Sequence, residues 1–264
     1  TAFAFSLFSL IVFLALFGPW ITPYDPLATN AANALQPPSW GHVFGTDQLG
    51  RDIFSRVIAA TRLDLGIATS AVALSFVFGC ALGCSAGFWG GWTDRIVGRF
   101  SDTIMAFPLF VLAMGIVAAM GNTVENIIYA TAIINLPFYA RVARAETSVR
   151  RHAGYVHAAR LCGSGNIRIL ATQIFPNILP PMVVQVSLNM GWAILNAAGL
   201  SFIGLGVRPP DAEWGIMVAE GANYIVSGEW WLAIFPGLAL MLAVFCFNLL
   251  GDGLRDLVDP QRRT

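Results

Sequence analysis

Apolar residues occur in this chain in long blocks, and the polar residues are gathered between the blocks rather than alternating with them. A helix needs roughly 20 mostly apolar residues to cross a bilayer. Candidate blocks are Ala2 to Ile21, Leu65 to Phe88, Ile96 to Met120, Val124 to Val142, Pro180 to Leu205 and Trp230 to Leu250. The pattern predicts an all-α integral membrane protein with about six transmembrane helices. Pro108 and Gly115 are tolerable in the third span but predict a kink there, and its charged start (Arg95, Arg99, Asp102) is expected at the interface. The first block begins with neither a basic flank nor a small-residue cleavage site, so it reads as a spanning helix and not as a signal peptide. A cytoplasmic leader missing from the sequence is expected before it.

The segments between the blocks divide the chain further. Thr22 to Trp40 is rich in Pro, Asn and Ala and predicts irregular structure over the membrane surface. From Asp47 the period becomes helical, with Ile53, Phe54, Val57, Ile58 and Thr61 on one side and Asp52, Ser55, Arg56 and Arg62 opposite. Such a helix is expected to lie in the interface and lead into the second span. Residues 1–64 then form a first helix, an outer segment and an interfacial helix, and residues 65–264 a five-helix core whose longest loop is 143–179.

Composition agrees with a membrane protein and sets its orientation. The chain is 56% hydrophobic and 11% charged, with mean hydropathy +0.68, whereas roughly a quarter of a soluble domain is charged. Net charge is zero, which excludes a generally basic nucleic-acid binder. All fifteen basic residues are arginine. If the first helix starts in the cytoplasm, Arg95, Arg99, Arg141, Arg144, Arg150, Arg151, Arg160, Arg168, Arg255, Arg262 and Arg263 lie inside. Only Arg51, Arg56, Arg62 and Arg208 lie outside. Basic residues favour the cytoplasmic side, so both termini are expected there. Three of the four cysteines, Cys80, Cys84 and Cys246, fall in apolar blocks and read as small buried hydrophobes. Cys80 and Cys84 share a helix face, but no His, Asp or Glu near them in sequence suggests a metal site.

Two groups of residues are candidates for function. The inside loop reads Gly154-Tyr-Val-His-Ala-Ala-Arg-Leu-Cys-Gly-Ser-Gly-Asn166 and continues to Thr172-Gln-Ile-Phe-Pro-Asn177. This predicts a short helix, a break at Gly163 and Gly165, and a second short helix from about Asn166 that ends near Pro176 and Pro180. Ala158 and Ala159 leave a patch without bulk, and Gly163 can take positive φ in a sharp turn. The loop is either a docking element or an ordinary connector between spans. In the fifth span Gln185, Asn189 and Asn196 form one stripe. Polar groups at membrane depth face an aqueous path or glue helices together, so the stripe lines a pore or packs the bundle. Trp214, Tyr224, Trp230 and Trp231 are expected to anchor the outer interface, and the acids beside them include Asp211, Glu213, Glu220 and Glu229.

The inside loop resembles the "E-A-A, three residues, Gly" loop of permeases from binding-protein-dependent ABC importers. The match runs through Ala158, Ala159 and Gly163 and on to Pro176 and Asn177. Gly45-Thr-Asp-Gln-Leu-Gly-Arg-Asp-Ile-Phe-Ser-Arg56, Leu200-Ser-Phe-Ile-Gly-Leu-Gly206, Pro209-Pro-Asp-Ala-Glu-Trp-Gly215, Phe247-Asn-Leu-Leu-Gly-Asp-Gly-Leu-Arg-Asp256 and Asp259-Pro260 narrow the resemblance. They are similar to the second permease of the dipeptide, oligopeptide and nickel group. His157 stands where that family carries an acid, and Gln173 where it carries a His. The resemblance implies a type I ABC importer permease fold in a bacterial inner membrane. It also implies a second, homologous permease, two ATPase subunits and an extracytoplasmic binding protein. Tyr155, His157, Ala158, Ala159, Gly163, Pro176 and Asn177 would then form the ATPase-coupling loop. The chain has no G-x-x-x-x-G-K-[ST] phosphate loop, so ATP and Mg are expected on the partner ATPases, with no cofactor and no catalysis here. The expected cargo is a di- or oligopeptide, with nickel, glutathione and oligosaccharides as alternatives within the group. An ion-driven secondary transporter or a membrane enzyme would call for ionisable residues at midspan, and no such cluster stands out.

Overall fold

The computed structural model describes residues 2–258; Asp259-Pro260, Arg262 and Arg263, used above, lie outside the described residues. The first helix, α1 (Ala2–Ile21), is followed by an irregular segment with a 3-10 turn at Ala31–Asn33 and an isolated antiparallel bridge between Thr46 and Asp52. The second, α2 (Ile53–Trp89), then runs 37 residues without interruption. The expected interfacial helix is therefore the first part of α2 itself, and the boundary at residue 64 falls inside one helix. Asp52 starts it, accepting a hydrogen bond from the Ser55 amide at 2.8 Å. The face carrying Asp52, Ser55 and Arg56 does not meet water, because outer loops fold over it and bury all three.

The third span is not straight either. It divides into α3 (Gly91–Met105) and α4 (Leu109–Met120), which meet at 89°. Pro108 caps α4, and a residue before proline is driven out of the helical region, so the chain leaves the helical path by Phe107 and a new direction begins. The fifth helix, α5 (Val124–Arg150), continues past Val142 into the polar loop. Beyond it come α6 (Gly154–Leu161), α7 (Asn166–Ile169), a π turn at Leu170–Ile174 and α8 (Phe175–Phe202). Two more helices, α9 (Trp214–Ala222) and α10 (Trp231–Val258), complete the described residues. Among the described residues four helices are long and apolar enough to cross a membrane, or five if α3 and α4 form one bent span.

Glycines set the tightest packing. Gly79, Gly83 and Gly87 lie one helical turn apart on the side of α2 that meets α5. A Cβ on Gly79 would stand 2.6 Å from the Tyr139 Cβ, and one on Gly87 would stand 2.6 Å from the Arg144 carbonyl oxygen. On Gly83 it would collide with the Ala140 carbonyl oxygen. Small residues at this spacing let membrane helices approach backbone to backbone. The core beside this seam joins α2, α5, α8 and α10 through Cys80, Cys84, Tyr139, Met182, Met190 and Cys246, all buried.

Candidate functional site: the loop between α5 and α8

The loop is held to the body at a few apolar points and is exposed elsewhere. Val156 of α6 is fully buried, as are Ile169, Ile174 and Ile178 beyond it. These side chains pin both short helices against the main core. Outward from α6 stand Tyr155, His157, Ala158, Arg160 and Leu161, and Ile167 is likewise exposed on α7. Leu161 is 90% exposed and Ile167 76%, far more than an isolated chain in water would favour. The paired alanines divide their work: Ala158 faces out while Ala159 packs on the core.

The turn is built as the glycine requires. Gly163 has φ +80°, a left-handed conformation that residues with a Cβ adopt at a cost. Its amide donates to the Arg160 carbonyl at 2.9 Å, and the Ser164 amide donates to the Ala159 carbonyl at 3.0 Å. Together they satisfy the last carbonyls of α6 in a Schellman arrangement. The guanidinium of Arg160 sits 5.7 Å from the Phe88 ring centre, tying α6 to the end of α2. The second short helix does not stop at the prolines, in contrast to the expectation. The π turn joins α7 directly to α8, and Pro176 stands at the second residue of α8, just after that widened turn. Residues Asn166–Phe202 make one continuous helical rod. Pro176 and Asn177 are exposed at the start of α8, and the Asn177 side-chain Nδ2 donates to the Gln173 carbonyl at 2.6 Å.

The amide stripe of α8 turns inward. Asn189 and Asn196 are buried within this chain and Gln185 is half-buried. Gln185 Nε2 donates to Asn189 Oδ1 at 3.0 Å, and Asn196 Nδ2 to the Trp192 carbonyl at 3.1 Å. The Asn189 Nδ2 and the Tyr139 hydroxyl have no hydrogen-bond partner of ordinary geometry, yet they are close enough to interact.

At the other end of α2 the structure holds a buried charge network that sequence reasoning missed. Arg51 and Arg56 are among the largest fully buried side chains. Arg51 Nε donates to Asp47 Oδ2 at 2.6 Å, and its Nη2 lies 3.6 Å from Glu220. Arg56 lies 3.6 Å from the same Asp47 oxygen and donates to the Pro26 carbonyl at 3.2 Å. His42 Nδ1 is 2.9 Å from Asp52 Oδ1. The sequence signal was present in Gly45 to Arg56, where acids and arginines recur at spacings of four and five.

Glu213 is fully buried and accepts from the amides of Gly215 at 2.9 Å and Ile216 at 2.8 Å. Burial pushes its carboxyl above the usual range, against the pull of those amides. Trp214 and Trp231, expected as interface anchors, are buried instead. Each indole N–H finds a carbonyl, Trp214 that of Val57 at 3.0 Å and Trp231 that of Thr46 at 3.3 Å. A buried indole needs such a partner, and here the partners come from the first turns of α2 and from the segment just before it.

Residues 79–264 match the family described as "Binding-protein-dependent transport system inner membrane component". Residues 2–38 match the "N-terminal TM domain of oligopeptide transport permease C". Among curated proteins, the probable D,D-dipeptide transport system permease protein DdpC of Escherichia coli (strain K12) is 44% identical over 252 residues, 96% of this chain and 84% of that protein. The di/tripeptide transport system permease protein DppC of Pseudomonas aeruginosa (strain UCBPP-PA14) is 43% identical over 258 residues, 96% of this chain and 85% of that protein. Among solved structures, an inward-facing MetNI methionine ABC transporter aligns with TM-score 0.63 at 16% identity, over 78% of this chain and 98% of that one. That likeness establishes the type I importer permease fold. The chain is thus a multi-pass inner-membrane protein and belongs to the inner-membrane components of binding-protein-dependent transport systems, within their permease C group.

Proposed function

We propose that this chain is one of two homologous permeases in an ATP-driven importer that carries di- or oligopeptides into the cytoplasm. An extracytoplasmic binding protein delivers the cargo, and two ATPase subunits that hold ATP and Mg dock on the loop between α5 and α8. The observation that carries this reading is the loop itself. Tyr155, His157, Ala158, Leu161 and Ile167 are exposed on two short helices that Val156, Ile169 and Ile174 pin to the body. A connector with no partner has little reason to hold bulky apolar side chains in water on a rigid base. Gly163 and the exposed Pro176 and Asn177 shape the rest of that surface. His157 stands in the place of an acidic contact, where it donates a hydrogen bond or is tolerated at the rim of the docked surface.

A peptide cargo is supported by the relatives' names, which are those of dipeptide, di/tripeptide and glutathione permeases. Of the amide stripe, Gln185 retains exposed surface and is the candidate to meet cargo in transit. Asn189 and Asn196, buried in this chain, favour the packing role. The test is uptake of labelled dipeptide into vesicles carrying the purified complex. ATP is expected to drive uptake and an ion gradient alone is not; uptake driven by the gradient without ATP would refute the proposal.

A further inference from the structure

The faces of α3 are arranged as on a helix that lies along a membrane surface. Val97, Ser101 and Ile104 are buried against the body. Trp92, Ile96 and Phe100 are exposed apolar side chains on the adjoining face, and Arg95, Arg99 and Asp102 fill the remaining arc of the helix, between the exposed apolar face and the buried one. Set at 89° to α4, such a helix rests in the interface with its apolar side toward the acyl chains. Its polar side walls a cavity of about 550 Å³, closed on the other side by Ala140, Arg141 and Arg144 of α5.

Four arginines and two aspartates line this cavity, leaving a formal surplus of two positive charges (4 − 2). Both aspartates are engaged, Asp102 with Arg141 at 2.7 Å and Asp94 with Arg144. Arg95 lies 5.5 Å from the Trp92 ring centre. Among the described residues neither Arg95 nor Arg99 has a carboxylate in ion-pairing range.

We propose that this cavity binds the phosphate-bearing headgroup of an anionic phospholipid. Guanidinium forks match phosphate oxygens, and basic pockets between helices at the membrane surface suit such headgroups. The exposed Trp92, Ile96 and Phe100 face beside the cavity offers the acyl chains a bed, which a soluble phosphate would not use. The proposal rests on the membrane placement of the fold and is independent of the cargo.

Native mass spectrometry of the whole importer complex tests it, with phosphatidylglycerol or phosphatidylcholine added to the wild type and to an Arg95→Gln/Arg99→Gln variant. Both arginines are exposed, so the fold should survive. Each basic residue near an anionic lipid surface is worth about fivefold in binding. The variant should therefore hold phosphatidylglycerol about 25-fold more weakly, with phosphatidylcholine binding unchanged. Equal phosphatidylglycerol binding by both proteins would overturn the site, as would no binding by the wild type. Displacement by equimolar inorganic phosphate would make the ligand a soluble anion and overturn the lipid. Subunit stoichiometry and ATP-driven uptake in the same samples separate a failed assembly or a wrong transport reading from an absent lipid.

Discussion

Gly83 has the least room of the three glycines between α2 and α5, since the obstacle is the Ala140 carbonyl of the facing backbone and not a side chain that can swing away. A Gly83→Ala substitution must push the helices apart. Overpacking of a close seam costs about 1–3 kcal/mol and occasionally more, and a rigid backbone obstacle places this case at the upper end. Thermal unfolding of the detergent-solubilised protein should show a marked loss for Gly83→Ala. Gly115→Ala serves as control, because nothing lies within 4 Å of its added Cβ. Single residues were read unevenly from sequence. The turn at Gly163 followed from the need for positive φ, but the glycine seam of α2 passed unnoticed inside an apolar block. Hydropathy weighs side chains and is blind to what their absence permits. The burial of Arg51 and Arg56 was hidden for the opposite reason, since charge alone suggests water until the covering loops are placed.

At the scale of elements, α6 and α7 owe their mutual angle to one residue, and the space around Gly163 is open. Substitution there strains the backbone without any clash. For Gly163→Val the left-handed φ costs about 1–2 kcal/mol, equivalent to about a 5- to 30-fold change in the ratio of the present turn to its alternatives. Membrane insertion and complex yield should stay near wild type while ATP-driven peptide uptake falls by about that factor, read in reconstituted vesicles. Uptake at the wild-type rate would remove the loop from the coupling role. Most elements were legible in the blocks of apolar residues, including α1, α8 and α10. The misjudged ones share a cause: periodicity reports which faces are apolar and says little of where a helix starts, bends or continues. So α2 absorbed the expected interfacial helix and α7 ran on into α8 through a π turn, whereas the kink expected from Pro108 is present as the 89° break between α3 and α4.

For the whole molecule, the arginine bias predicts that the loop faces the cytoplasm, and one native residue can report on it. Cys162 is exposed in that loop while Cys80, Cys84 and Cys246 are buried. A membrane-impermeant maleimide should label inverted vesicles at Cys162 and leave right-side-out vesicles unlabelled, with mass spectrometry locating the adduct. Labelling from the outer face would reverse the orientation. Family membership was visible from motifs spread along the chain. The buried charge network and the α3 cavity were not: the first is buried by covering loops that periodicity does not place, and the second gathers residues from α3 and α5.

The unbroken run from Asn166 to Phe202 is 37 residues, roughly 55 Å at 1.5 Å per residue. Mechanically it is a lever. A subunit gripping its loop end would not have to pass a signal through flexible chain. Tilting the lever by about 10° around its middle would carry each tip about 5 Å in opposite directions. The gearing between a grip on one side of the membrane and an opening on the other would then be set by where α2, α5 and α10 place the fulcrum.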